Sequence, residues 1–162
     1  MVKIIFVGAL IALGIWLWTI FFPKPETIVR QRILKLAKIV SFTKGEGNFS
    51  RVAAGERVGG FFSTNVEINI TIPGHESDTL HSRAEITQAA LQARQAVREL
   101  VVKVPDTQVT LAPDKQSAVA DVTVDVEISG ERDAIVQEMK FTFQKMDGNW
   151  LITKIETVRT LN

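Results

Sequence analysis

The side chains able to do chemistry in this chain are few and scattered. His75 and His81 stand close together, with Glu76 and Asp78 between them, in the run His-Glu-Ser-Asp-Thr-Leu-His. Imidazole and carboxylate at that density are ligands that zinc or another divalent ion accepts. The spacing matches no defined metal motif, however, and the run follows Pro73-Gly74, so it reads as a solvated loop and no metal site is assigned. The other acid–base candidates are five carboxylates: Glu67, Asp121, Asp125, Glu127 and Glu138. A catalytic base among them would need a dry pocket and a perturbed pKa. The chain has no cysteine, which removes thiolate nucleophiles, cysteine metal sites, disulfides and lipid attachment through a lipobox cysteine. It has no tyrosine either. The stretch Gly55 to Gly60 lacks the Gly-Lys-Ser/Thr ending of a phosphate loop and follows no strand. The sequons Asn48-Phe-Ser50 and Asn69-Ile-Thr71 carry no weight in a chain read as bacterial. No catalytic residue and no cofactor is therefore assigned.

The elements that must hold these groups are easier to place. Pro23-Lys-Pro25 opens a helix over Glu26 to Val40, with an apolar stripe at Val29, Ile33, Leu36, Ala37 and Val40. Arg30, Arg32, Lys35 and Lys38 lie mostly off that stripe, as a solvated face or as a contact for anionic lipid. A shorter helix spans Phe49 to Val58, closed by Gly59-Gly60. Val66 to Ile72 alternates as a half-buried strand. Ser82 and Glu85 form a capping box, and Ile86, Ala89, Ala90, Ala93, Ala96, Val97 and Leu100 keep helical spacing behind it. Three further strands are expected over Val101 to Leu111, Ala118 to Ile128 and Val136 to Lys145, with Pro105 predicting a bend or an edge position in the first. Asp147-Gly148 predicts a tight hairpin turn, with Trp150 to Val158 as the return strand. On the alternating strands the apolar side chains Val122, Val124, Met139, Phe141 and Phe143 share one face, and the five carboxylates fall on the other. The face that packs on helices is the apolar one, so the carboxylates are expected in solvent.

Residues 1–24 have a different character. From Ile4 to Phe22 no residue is charged, a run of 19 residues. At about 1.5 Å per residue that is about 28 Å of helix, close to the hydrocarbon thickness of a bilayer. Trp16 and Trp18 sit near its end, where indole favours the headgroup level. Small residues suited to signal-peptide cleavage are absent there, so a retained single-pass anchor is expected, holding membrane lipid through residues 4–22. The net charge is +1, but residues 1–60 hold nine Lys/Arg against three Asp/Glu, and residues 61–162 hold ten against fifteen. The basic excess hugs the anchor and has no aromatic platform beside it, which gives no support to nucleic acid as a partner. A plain positive-inside count keeps the domain in the cytoplasm. The short N-terminal tail with one lysine before an apolar run has the form of an export signal-anchor, which favours the periplasmic side of a bacterial inner membrane.

The order helix, helix, strand, helix, then antiparallel strands ending in Phe141-Thr-Phe-Gln-Lys-Met-Asp-Gly-Asn-Trp-Leu-Ile152, resembles the nuclear transport factor 2-like superfamily, which includes the SnoaL-like proteins. The resemblance covers residues 25–162 and implies an α+β domain: a curved antiparallel sheet wrapped as a cone around about three helices, with a pocket inside. The superfamily contains isomerases, cyclases and dehydratases beside members that only bind or scaffold. The tyrosine-dependent constellations of its enzymes have no counterpart here. A membrane-anchored, non-catalytic domain follows, binding a protein partner, a second copy of itself or an apolar small ligand. Two alternatives stand beside it: a SnoaL-like lyase or isomerase, and an inner-membrane assembly factor resembling type IV secretion components. The anchor is tested first. Carbonate-washed membranes should retain the full-length chain with its N-terminus intact; recovery of a shortened, soluble chain would refute the anchor.

Overall fold

In the computed structural model, residues 8, 11–14, 16, 23–43, 45, 47–71, 78–131 and 134–158 are described. The elements are α1 (Pro25–Val40), α2 (Asn48–Gly59), β1 (Phe62–Ile70), β2 (Asp78–Leu80), α3 (Arg83–Ala96), β3 (Leu100–Leu111), β4 (Ser117–Ile128), β5 (Ile135–Met146) and β6 (Asn149–Thr157). The six strands form one curved sheet in the order β2-β1-β6-β5-β4-β3. The helices cover its concave face.

β4 and β5 bury alternate residues, as a half-covered sheet requires. Ala118, Ala120, Val122 and Val124 of β4 meet Phe141 and Phe143 of β5, and Val29, Ile33 and Leu36 of α1 close over them. In β6 the parity slips. Trp150, Ile152 and Ile155 are all buried, because the register shifts opposite Thr142 and Phe143 and adds one residue to β6. Met146 to Asn149 closes the hairpin, with Asp147 at φ 49° and Gly148 at φ 79°. That pair of positive values is the turn whose twist matches the flanking strands.

Several expectations need correction. The sheet is mixed, because β1 pairs parallel with β6. These strands are distant in sequence, so no hairpin turn fixes their relative direction. The strand expected over Val66 to Ile72 begins earlier, at Phe62, and Ile72 lies outside the described residues. The short β2 falls in the run expected to be loop; it pairs Leu80 with Ile68 and Thr79 with Asn69 on an open edge. Three residues are too few to show an alternation. The helix expected to reach Leu100 ends at Ala96, and Val97 is extended at φ −117°, ψ 152°. Leu100 instead exchanges two backbone hydrogen bonds with Phe42, at 2.8 and 2.9 Å, and enters β3. Pro105 sits where the β3–β4 register breaks, between Lys103 and Asp106 on the edge strand. An edge tolerates a residue without an N–H.

The capping box is present in altered form. The Ser82 hydroxyl accepts from the Glu85 backbone N–H at 3.2 Å, but the Glu85 carboxylate accepts from the His81 N–H at 2.8 Å, one residue before the cap. The His81 N–H first, and then the Ser82 hydroxyl beside the carboxylate, hold the Glu85 carboxyl below its usual range. A depressed carboxyl stabilises the fold above its unfolded-state pKa, and that contribution is lost as pH falls through the folded value.

Most of residues 4–22, the expected anchor, lie outside the described residues. Those described there, Gly8, residues 11–14 and Trp16, are helical. No helix among the described residues is long and apolar enough to cross a membrane.

The α2–α3 contact is unusually close. A Cβ added at Gly59 would stand 2.5 Å from the Thr87 hydroxyl oxygen, and one at Gly55 would stand 3.0 Å from Leu91 Cγ. The Thr87 hydroxyl cannot turn away freely, since it donates to the Arg83 carbonyl at 3.0 Å. Gly59→Ala should therefore lower stability by about 1–2 kcal/mol through overpacking. In a Thr87→Ala background the same substitution should be neutral; denaturant melts of the four-member cycle measure this coupling.

Candidate functional site

The helices roof the sheet with small side chains. Ala89, Ala90 and Ala93 of α3 face inward beside Ile33 and Leu36 of α1. Alanines let the helix approach without filling the space beneath, and a cavity of about 410 Å³ remains. Its floor is Val124 and Val126 of β4 with Met139 and Phe141 of β5, and Ile68, Ile70 and Leu80 reach it from β1 and β2. Every lining side chain is a hydrocarbon or, at Met139, a thioether. Among the described residues no acid, base, hydroxyl or amide enters it. An apolar cavity of this kind stays dry and takes apolar guests.

The polar groups buried nearby serve the main chain. Arg94 is 3% exposed, donates to the Ile39 carbonyl and lies 4.9 Å from the centre of the Phe42 ring. Arg83 Nε donates to the Phe62 carbonyl at 3.0 Å. Neither lines the cavity. Arg94 had a signal in the sequence: it stands four residues after Ala90 and eight after Ile86, on the inward stripe of α3. Two of the cations expected as a solvated or lipid-facing set also reach main-chain carbonyls of other segments. Arg30 donates to the Thr107 carbonyl at 2.9 Å, and Arg32 donates to the Gly60 carbonyl at 3.4 Å with its guanidinium 4.8 Å from the Phe61 ring centre.

The structure does not gather the sequence's chemical candidates. His81 is exposed, while His75, Glu76 and the Asp78 side chain lie outside what is described. Among the described residues no three His, Asp or Glu converge as a metal site. Glu67, Asp121, Glu127 and Glu138 are exposed on the outer face, as expected, and Glu127 pairs there with Lys103. Asp125 differs. It too lies on the outer strand face, yet it is half-buried, and its Oδ1 is buried without a hydrogen-bond partner among the described residues. Its neighbours across the strands, Lys103 and Val136, cover it. It does not line the cavity, so the parity expected from the sequence holds.

No family model matches the sequence, and no curated protein matches it. Solved structures do match the fold. A nuclear transport factor 2-like protein of unknown function from Pseudomonas putida KT2440 is similar with a TM-score of 0.64 at 11% identity, covering 85% of this chain and 87% of that one. A proposed scytalone dehydratase from Novosphingobium aromaticivorans DSM 12444 gives 0.61 at 12%, covering 83% of each. The yeast UBP3-associated protein BRE5 gives 0.59 at 12%, covering 82% and 95%. Identities this low show the fold alone: an α+β domain of nuclear transport factor 2-like architecture. That fold hosts both enzymes and binding modules, so function must be argued from the cavity.

With no titratable group in the lining, binding of an uncharged apolar probe should depend little on pH. A titrating contact would change affinity by up to about tenfold per pH unit. Fluorescence titration between mildly acidic and mildly alkaline buffer should show a change of less than about twofold.

Proposed function

We propose that this chain is a membrane-tethered, non-catalytic domain that holds an apolar small molecule in the cavity beneath α1 and α3. Residues 1–24 form the tether and residues 25–162 the binding domain, on the periplasmic side of a bacterial inner membrane. The observation that carries the binding role is the lining: twenty side chains around about 410 Å³ with no polar group among them. Burying an unpaired polar group costs roughly 1–3 kcal/mol or more, so such a chamber selects against polar guests and favours hydrocarbon. The tether is supported by the uncharged 19-residue run and by the exposure of Ile11, Leu13 and Trp16 at 58, 49 and 60%. Exposed apolar side chains such as Ile11 and Leu13 are suited to lipid.

A SnoaL-like lyase or isomerase needs a base and a group to stabilise developing charge. Among the described residues nothing lining this cavity supplies either, and the low-identity likeness to a proposed dehydratase adds no residue. Docking of a protein partner or a second copy, including the assembly role, has one favouring observation: Leu34 on α1 and Val52 on α2 stand 47 and 53% exposed.

The test fills the chamber. In residues 23–162 expressed alone, N-phenyl-1-naphthylamine should bind with enhanced fluorescence. Ala93→Phe should weaken that binding by about tenfold or more, equivalent to about 1.4 kcal/mol, while the domain still melts cooperatively. Unchanged binding by the folded variant would refute the cavity as the site.

A further inference from the structure

The first turns of α1 face the β5–β6 hairpin, and a groove of about 330 Å³ runs between them. Arg32 and Lys35 line it from α1, and Lys145, Asn149 and Trp150 line it from the hairpin. Three of its lining side chains are cations and none is an acid. Glu26 and Asp147 are close in sequence, but both are exposed and neither lines the groove.

Arg32 is held ready for an anion. The Phe61 ring and the Gly60 carbonyl fix its guanidinium. Its Nε is buried and finds no acceptor among the described residues. Burial pushes its pKa down, so the charge is partly desolvated. An oxyanion arriving in the groove would meet the Lys35 and Lys145 ammonium groups beside the Arg32 guanidinium and neutralise the cluster. Guanidinium beside flexible ammonium groups suits the several oxygens of a phosphate. Pro23 and Pro25 form one wall, so the groove begins at the first residues after the apolar run 4–22.

We infer that this groove binds a phosphate anion, carried by the headgroup of an anionic phospholipid. The lipid source rests on the tether proposed above. Lys145 comes from 110 residues further along the chain than Lys35. The groove is thus a product of the fold, and only half of the basic set on α1 belongs to it.

The full-length protein is melted in neutral detergent micelles doped with phosphatidylglycerol or, in parallel, with phosphatidylcholine. A ligand that binds the native state raises the melting temperature, and a rise of about 2–5 °C with phosphatidylglycerol alone is expected. Lys35→Gln with Lys145→Gln should abolish the rise. Lys38→Gln with Arg98→Gln removes the same charge from exposed positions outside the groove and should leave it intact. A further arm replaces chloride by inorganic phosphate at matched ionic strength. A rise there that needs Lys35 and Lys145 also supports the phosphate site and makes a soluble phosphate its occupant. No rise in either arm, or a rise that both variant pairs remove equally, would overturn the site. Carbonate extraction reports on the tether separately, because retention in the membrane does not depend on these lysines.

Discussion

The concave face of the sheet is hydrocarbon, and the rest of the structure depends on covering it. Alternation along β4 and β5 puts Ala120, Val122, Val124, Phe141 and Phe143 on one side, and water must be kept from them. Two helices take that task from different directions. α1 contributes Val29, Ile33 and Leu36, large enough to interlock with the strands near the Trp150 end. α3 contributes mostly alanine, which permits approach without bulk. Both helices wall the cavity, α1 through Ile33 and Leu36 and α3 through its alanines. The cavity is what remains when a sheet this curved is covered by a helix this slender.

Holding such helices in place falls to arginines. Arg30, Arg32, Arg83 and Arg94 each donate to a main-chain carbonyl of another element: Thr107, Gly60, Phe62 and Ile39. Hydrogen bonds from a charged donor are stronger than neutral ones, contributing about 1.5–3 kcal/mol. Their long stems also cover apolar surface while the heads reach polar partners. The α2–α3 pair adds a steric lock, with Gly55 and Gly59 allowing backbone to meet Thr87 and Leu91. These devices act at the rim, so the interior needs no polar group for its specification. Among the described residues, the side chains lining the cavity are all apolar.

The groove beside α1 follows a different logic. There the cations have no carbonyl or carboxylate to satisfy them fully, and Arg32 is only partly engaged. One end of the domain thus presents uncompensated positive charge, and the centre presents uncompensated hydrocarbon. The apolar chamber and the basic groove both have α1 as a wall, through Ile33 and Leu36 for one and Arg32 and Lys35 for the other. A single helix face turned by one residue separates two kinds of surface.

Much of this was present in the sequence, because the signals concerned are local. Period-two alternation placed three strands and their inward faces. Asp147-Gly148 specified its turn, since two adjacent positive φ values favour that pair. Pro105 marked an edge, and Ser82 marked the start of α3. The alternation also placed Glu67, Asp121, Glu127 and Glu138 on the exposed face. What the tertiary structure alone decided involves partners distant along the chain. The parallel β1–β6 pairing, the capture of Leu100 by Phe42 and the three-residue β2 each depend on an edge that exists only once the sheet has formed. The commitment of Arg30 and Arg32 to carbonyls, and the meeting of Lys35 with Lys145, likewise carry no local signature. A sequence pattern records which face of an element is apolar; it does not record the distance between two covered faces, and that distance is what makes a cavity.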